Sequence, residues 1–418
     1  MISEETYLSD FAPKLPGHDM PWLWEMRADA FARFHAAGLP DRKVEAWRYT
    51  DLKLTKDQLF EVPRRPTGMH LPTLLENSCR LVFDNGILVT NPEEIPAGVR
   101  LFGMRQAMVE APVILSERFG QLAATRDLPL PTLNQALSQD GYVLIVDPGI
   151  EVLPAVEILF FNHDGASYPR NLILLGENSK ITVIEYYYGE SNVTYLTNAV
   201  TEIQVGSGAK LQRYKIQREA PAARHIATAA CTLEENAEFK NFDVNIGAEL
   251  ARNEIHVTLP GHGAGTSLNG IYLLRGKQHC DNVINVDHVT GMTNSRQEYR
   301  GLLADESHGV FQGKITVRPN AQGISGHQLN KSLLLSENAE IDSKPELEIL
   351  ADDVKCSHGA TAGELDESGL FYLRSRGIPE EEARHMLMTA FIAETLEFVE
   401  DGKLRDGIDQ MVSDWMTV

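Results

Sequence analysis

The sequence has few cysteines, few aromatic residues and too little positive charge to balance its acidic groups. Its 418 residues include four cysteines and 7% aromatic residues, and 38 Lys and Arg face 59 Asp and Glu, for a net charge of −21. Four widely spaced thiols cannot form the dense disulfide framework of a small secreted domain, so we expect free thiols or ligands. The acidic balance argues against nucleic acid or an anionic membrane as a partner, because both repel negative charge.

Long apolar runs are also missing. No run of about 18 apolar residues is present, which argues against a membrane-spanning helix. The first residues, Met1–Glu5, are acidic and are not followed by the apolar segment of a secretory signal, so we expect a cytoplasmic protein. A hydrophobic content of 43% and a charged content of 23% are ordinary for a globular chain with a large core.

The pattern of apolar and polar residues changes three times along the chain. A helical N-terminal region is followed by a mixed α/β segment, a long stretch of short β-rich runs, and a second helical region. The predicted boundaries are 1–70, 71–150, 151–365 and 366–418. Pro379, the acidic residues after it and a later apolar stripe predict one C-terminal helix, and Gly402 separates it from a second. Both helices either cover the β-rich core or present a docking surface, and the sequence leaves these two readings open.

The β-rich segment contains similar turns at a nearly regular interval. Each has Gly or Asn followed by a small residue, and in three of the four a charged residue comes next. The small residues recur every 27 to 30 positions at Ser179, Ala209, Ala237 and Ala264. An imperfect repeat of this kind is typical of stacked β-coils, in which each coil buries its apolar face only against its neighbours. We therefore predict a mainly β protein with a parallel β-helix core. A Greek-key sandwich of many short strands is the alternative.

Cys356 and His358 form the most informative pair in the chain. Residues two apart in a strand point to the same face, so both side chains can reach one metal or sulfur atom. Thiolate and imidazole together suit iron–sulfur chemistry or zinc. A packed cysteine beside a hydrogen-bonded histidine is the plainer explanation of the same two residues. Because the sequence supplies no second cluster of this kind, a metal held here would need ligands from another subunit.

Other candidate motifs carry less weight. Asp352 and Asp353 resemble the paired carboxylates of glycoside hydrolases, but neighbouring strand residues point to opposite faces. A β-helical carbohydrate-active enzyme is kept as an alternative on this basis. The glycine-containing run Gly309–Thr316 has the wrong spacing for a phosphate loop, so no bound nucleotide is expected. The remaining cysteines are predicted to pack in the core: Cys79, Cys231 and Cys280.

Several segments carry a resemblance to a known family. These are Lys344–Thr361 with the following Leu370–Ile378, Gly276–Asp281, Asn294–Arg296 and Leu39–Thr50. Together they closely resemble the SufB/SufD family of the Suf iron–sulfur cluster assembly machinery. Asn330 precedes the Lys-Ser-Leu-Leu-Leu run, and Gly359 follows His358, where SufB-like chains carry Cys and Glu. The resemblance is therefore to the SufD branch.

The resemblance implies a fold, partners and a role. It implies a right-handed parallel β-helix flanked by helical N- and C-terminal regions, in a non-catalytic scaffold subunit. The expected partners are a SufB-like subunit and a SufC-like ATPase, and a homodimer is an option when the chain is alone. Cys356 and His358 would bind a transient iron–sulfur cluster or iron at the subunit interface. A purely structural partner without metal contact remains an alternative. The residues expected to contact the ATPase are Phe371, Tyr372, Arg374, Arg376, Leu387 and Phe391.

Overall fold

The part of the chain that the structure describes contains twenty β-strands, more than half of them eight to eleven residues long. The computed structural model describes residues 3–52, 54, 58–59, 75, 78–123, 128–190 and 193–417. In chain order the strands β1 to β20 span Cys79–Asp84, Ile87–Thr90, Val99–Gly103, Tyr142–Val146, Val156–Asn162, Ala166–Ser167, Arg170–Leu175, Lys180–Gly189, Leu196–Val205, Lys210–Arg218, Arg224–Leu233, Glu238–Asn245, Leu250–Leu259, Gly265–Leu274, His279–His288, Asn294–Leu303, His308–Val317, Ile324–Leu334, Glu340–Ile349 and Val354–Gly363.

Helices lie before and after the run of strands and within its first part. The helices α1 to α7 span Pro21–Ala37, Met104–Glu110, Pro112–Arg118, Pro129–Leu137, Glu367–Ser375, Glu380–Leu396 and Gly402–Thr417. Short helical turns occur at Glu4–Thr6, Tyr7–Phe11, Ala12–Lys14 and Glu45–Trp47. Among the described helices, none has the length and apolar character needed to cross a membrane.

The strands alternate between two sheets, so that each pass of the chain adds one strand to each sheet. The first sheet has the order β2-β1-β5-β8-β10-β12-β14-β16-β18-β20, and the second has the order β19-β17-β15-β13-β11-β9-β7-β4-β3, with β6 beside β9. Neighbours are parallel except in the pairs β1–β2 and β3–β4. The prediction of a mainly β protein with a parallel β-helix between helical regions is confirmed, and the Greek-key alternative is wrong.

The repeated turns explain how one coil stacks on the next. Asn178, Gly208, Asn236 and Gly263 all have a positive φ, the left-handed conformation that asparagine and glycine tolerate best. A Cβ added at Gly208 would lie 2.3 Å from the side-chain oxygen of Asn178 in the preceding coil, which is too close for any side chain. Glycine therefore stacks on asparagine, and the two residues alternate from coil to coil. The small residue after each of these positions is buried, at Ser179, Ala209, Ala237 and Ala264.

The helical regions cover the outer faces of the two sheets. In the first sheet, outward-facing Tyr214, Phe242 and Ile271 share a buried apolar cluster with α6 and α7, which contribute Ile392, Leu396, Leu404, Ile408 and Trp415. On the second sheet, Leu196, Ile226 and Leu250 share a cluster with the N-terminal residues Tyr7, Phe31 and Trp47. Helices α6 and α7 therefore cover the core, which was one of the two roles that the sequence left open.

Charged and amide side chains lie inside the β-helix and pair across coils. Arg213 donates to Glu185 at 2.7 Å, and Tyr299 donates to Asp243 at 2.7 Å. Lys215 donates to the Asn253 side-chain oxygen, and burial lowers the pKa of Lys215 to about 8. Such buried pairs are costly unless they are satisfied, so they favour one register between neighbouring coils.

A buried histidine makes the fold sensitive to acid. The two ring nitrogens of His288 lie 2.7 Å from Thr293 Oγ1 and 2.9 Å from Ser295 Oγ. Burial lowers the pKa of His288 from 6.5 to about 4, and nearby Asp287 opposes this shift only in part. Below pH 6.5 the unfolded chain gains a proton that the folded chain does not accept until about pH 4.

We expect the free energy of unfolding to fall by about 2 kcal/mol between pH 7 and pH 5 because of His288. His288→Gln keeps one donor and one acceptor but does not titrate, so its unfolding transition should lose less stability over that interval. Thermal unfolding at both pH values measures the effect, with the exposed His35→Gln as control. An equal pH dependence in wild type and His288→Gln would contradict this role for the histidine.

Candidate functional site

Cys356 and His358 lie on β20, the last strand of the first sheet. Parallel pairing with β18 places Cys356 beside Gly326 and His358 beside Gln328. Gly326 and Gln328 are both buried and face the interior of the β-helix, while His327 between them faces outward. The alternation of a strand therefore points Cys356 and His358 toward the same interior side, at its open end.

The Cys356 thiol is half-buried at the edge of a small apolar cluster. Ile315, Val317, Ala321 and Ile324 form the buried part of this cluster. Burial raises the pKa of Cys356, and a hydrogen bond with the backbone of Gly326 offsets the rise only in part. The thiol is therefore mainly protonated at neutral pH, and binding a metal ion would displace its proton.

The His358 side chain is exposed, and a buried glutamine lies beside it in the sheet. Gln328 donates from Nε2 to Gln297 at 3.0 Å, whereas its Oε1 is buried with no partner among the described residues. Sequence reasoning missed Gln328. The sequence did contain a signal for this residue. Gln328 and His358 are separated by 30 residues, which is the longest spacing between the repeated turns, so the two residues are expected at equivalent positions in successive coils.

The pair does not form a complete metal site within the described part of the chain. No three His, Cys, Asp or Glu side chains among the described residues are placed to hold one metal ion. Asp352 and Asp353 are exposed and stand in the bend before β20. Since a bound iron–sulfur centre usually has more than two ligands, the remaining ligands would come from outside the described residues.

β19 and β20 form the uncovered end of the solenoid. Each is the last strand of its sheet, and most of their residues are exposed or half-buried. Where β19 ends, Ile349 and Leu350 are 39% and 51% exposed, which adds apolar surface to this end of the solenoid. Edge strands with free backbone groups readily pair with another chain.

A second exposed surface lies on α5, which contains Phe371 and Tyr372. These aromatic side chains are 75% and 57% exposed, and α5 has no buried residue. The guanidinium of Arg376 lies 5.1 Å from the centre of the Tyr372 ring, and Arg374 pairs with Glu380 at 3.1 Å. The four expected contact residues on α5 and its C-terminal cap are thus accessible, and two of them are large aromatics.

The other two expected contact residues take part in contacts within the chain. Leu387 on α6 lies beneath α5, close enough to touch a Cβ added at Gly369. Phe391 lies 5.1 Å from the guanidinium of Arg300, which also donates to its backbone carbonyl. Both side chains are half-buried, so they hold α5 and α6 in place and present less surface to a partner.

The remaining motifs fall in the body of the β-helix. The glycine-containing run Gly309–Thr316 lies inside strand β17 and is not followed by a helix. Cys280 faces the interior, whereas Asp281 faces outward and pairs with Arg252. Adjacent side chains therefore diverge at this motif. Three of the four cysteines are buried, at Cys79, Cys231 and Cys280.

Comparison with known proteins gives the family. Residues 160–391 match the family model described as SUF system FeS cluster assembly, SufBD core domain. Residues 3–158 match the SufBD protein N-terminal region. The chain belongs to the SufBD family. The resemblance found in the sequence is thereby confirmed, and membership gives the chain a role in iron–sulfur cluster assembly.

Relatives with similar sequences come from bacteria and a plant. The chain is 32% identical to iron–sulfur cluster assembly protein SufD of Escherichia coli, over 90% of this chain and 88% of the relative. It is 31% identical to an iron–sulfur cluster assembly SufBD family protein of Synechocystis, over 90% and 87%. It is 30% identical to protein ABCI7, chloroplastic, of Arabidopsis thaliana, over 96% and 87%. Each of these matches covers at least 90% of this chain and at least 87% of the relative.

The different burial of the four cysteines predicts a selective reaction. We expect iodoacetamide to modify Cys356 first in the native protein, because the other three thiols are buried. The rate should rise with pH beyond pH 9, since burial raises the Cys356 pKa above that of an ordinary thiol. Peptide mass spectrometry measures the site and rate. Prior modification of Cys79, Cys231 or Cys280 in folded protein would contradict the described burial.

Proposed function

We propose that this SufBD chain is a non-catalytic scaffold subunit on which a transient iron–sulfur cluster forms. In this role its last coil pairs with a SufB-like subunit, and α5 binds a SufC-like ATPase that supplies nucleotide hydrolysis. The observation that carries the proposal is the position of Cys356 and His358, on one side of the uncovered strand β20. A cluster or iron held there would lie at the subunit interface.

The chemistry of the pair suits temporary binding. A thiolate binds iron or sulfur strongly, while an exposed imidazole is a weaker and more exchangeable ligand. Cys356 loses its proton when metal binds, so affinity should increase with pH. This chain supplies two ligands, so the remaining ligands of the metal or cluster come from the partner and the substrate. A cluster shared between two subunits is released when the subunits separate.

The exposed aromatics of α5 support the proposed ATPase contact. Interfaces are enriched in aromatic residues and arginine, and these residues often contribute most of the binding energy. Phe371, Tyr372, Arg374 and Arg376 provide both classes on one helix and its C-terminal cap. Because α5 has no buried residue, changes to its exposed side chains should alter binding with little effect on folding.

A purely structural role for Cys356 is the second candidate. It is favoured by the half-buried position of the thiol in an apolar cluster and by its raised pKa. Under this reading the chain still pairs with its partners, but Cys356 contributes only packing. The two candidate roles predict different iron and sulfide contents for the Cys356 variant, but both predict that the complex forms.

We expect Cys356→Ala and His358→Ala to lower the iron and acid-labile sulfide that co-purify with the complex. The chain is to be co-expressed anaerobically with SufB-like and SufC-like subunits, and the complex is then isolated. Ser357→Ala is the matched control, because Ser357 lies between the two residues and hydrogen-bonds outward to His327. An intact complex with unchanged iron and sulfide in Cys356→Ala would favour the structural role.

We expect Phe371→Ala and Tyr372→Ala each to weaken binding of the SufC-like ATPase by about 30-fold, the loss of roughly 2 kcal/mol at a central aromatic contact. Titration calorimetry measures the affinity, and thermal unfolding checks that the fold is unchanged. Val113→Ala on α3 is the control, since Val113 is 65% exposed and apolar. Wild-type affinity in both aromatic variants would exclude α5 as the binding surface.

A further inference from the structure

A short ladder of glutamine side chains runs inside the β-helix toward its open end. Gln297 on β16, Gln328 on β18 and His358 on β20 are register partners in the parallel sheet, so they form one row through three successive coils. Gln297 and Gln328 are fully buried, and Gln328 donates from Nε2 to Gln297 Oε1 at 3.0 Å. His358 is the next member of this row, and it belongs to the last coil that the structure describes.

Each glutamine of the ladder carries one buried polar atom without a partner. Among the described residues, Gln297 Nε2 and Gln328 Oε1 are buried and have no hydrogen bond. In the coil before Gln297 the row continues with Leu268, which offers no acceptor to the Gln297 donor. In the coil after Gln328 the row continues with His358, whose imidazole carries an N–H donor. Because buried polar atoms are nearly always hydrogen-bonded, the free Gln328 oxygen indicates a bond that His358 can complete.

The Gln328 amide is held in place by its surroundings. Gly313 on the facing strand β17 leaves room for it, since a Cβ added at Gly313 would lie 2.4 Å from Gln328 Nε2 and 2.7 Å from its Cδ. The amide is therefore enclosed between Gln297 and the backbone of Gly313, where close packing restricts its rotation. Its oxygen is not used by the bond that Nε2 makes to Gln297, so a fixed acceptor lies in the row next to His358.

His358 is free to turn toward this acceptor. Its side chain is exposed, and it forms no hydrogen bond or ion pair within the part of the chain that the structure describes. The two nitrogens of an imidazole lie on different sides of the ring, so a ring that donates to Gln328 presents its other nitrogen away from β18, toward the uncovered edge. Metal-binding histidines almost always donate their second nitrogen to a carbonyl or carboxylate oxygen, which fixes the tautomer and the ring orientation.

We propose that Gln328 is a positioning residue for His358. Its Oε1 accepts the N–H of one ring nitrogen and thereby directs the lone pair of the other nitrogen to the metal. This inference rests on the proposed function, in which Cys356 and His358 bind iron or a cluster. Gln328 does not touch the metal and acts through the histidine, while Gln297 holds the Gln328 amide from the preceding coil.

Titration of the full-length chain with Co²⁺ tests the proposal, because the absorption of a thiolate bound to Co²⁺ reports a metal ion held by Cys356. We expect Gln328→Leu to weaken Co²⁺ binding by about tenfold or more, the loss typical of a residue that orients a metal-binding histidine. Gln328→Glu should retain binding, because a carboxylate oxygen accepts the same hydrogen bond. Gln217→Leu is the matched control, since Gln217 is a fully buried amide on β10, remote from β20. Wild-type affinity in Gln328→Leu would overturn the proposal.

A second background separates positioning from a general effect on the fold. In His358→Ala, the further change Gln328→Leu should not weaken the remaining Co²⁺ binding, because Gln328 acts only through the histidine. An equal loss in both backgrounds would show a structural role and overturn the positioning role. If Cys356→Ala and His358→Ala both bind Co²⁺ as wild type does, the ligand pair of the proposed function is wrong. A loss in both, with no effect of Gln328→Leu, would contradict the role of Gln328 alone.

Discussion

The structure depends on hydrogen bonding between successive coils, and within the described residues no further coil follows the last one. Each strand of a parallel sheet directs alternate backbone groups to its two neighbours. β20 pairs with β18 and β19 pairs with β17, but within the described residues neither strand has a second parallel neighbour. The same coil carries Cys356 and His358. The end of the solenoid that most needs a covering partner is therefore the end where the proposed ligands lie.

The C-terminal helices connect the proposed ATPase surface to this same sheet. Three arginines of the first sheet and its turns hold aromatic residues of α6, of α7 and of the turn between them: Arg300 with Phe391, Arg275 with Trp415, and Arg296 with Phe398. Cation–π contacts of this kind are stronger when water is excluded. α6 and α7 are thus fixed on the sheet, and α5 projects from them. Helix α6 and strand β16 therefore link α5 to β18 and β20 by direct packing.

Local patterns predicted much of this architecture. The recurrence of Ser179, Ala209, Ala237 and Ala264 indicated coils, because each follows a turn residue in the left-handed conformation. The alternation of side chains along a strand was enough to place Cys356 and His358 on one side. The position of Gln328 beside His358 and the packing of Phe391 under Arg300 were not predicted. Each depends on which coils and helices become neighbours, and that information lies in contacts across 30 to 91 residues.

Amide hydrogen exchange of the chain, alone and with a SufB-like subunit, tests most directly whether the open coil is the assembly surface. We expect amides in Val354–Gly363 and Glu340–Ile349 to exchange more slowly in the complex, because the partner covers both edge strands. Exchange in the central strands should not change, since those amides are already paired on both sides. Unchanged exchange in β19 and β20, with new protection elsewhere in the chain, would show that the open coil is not the assembly surface.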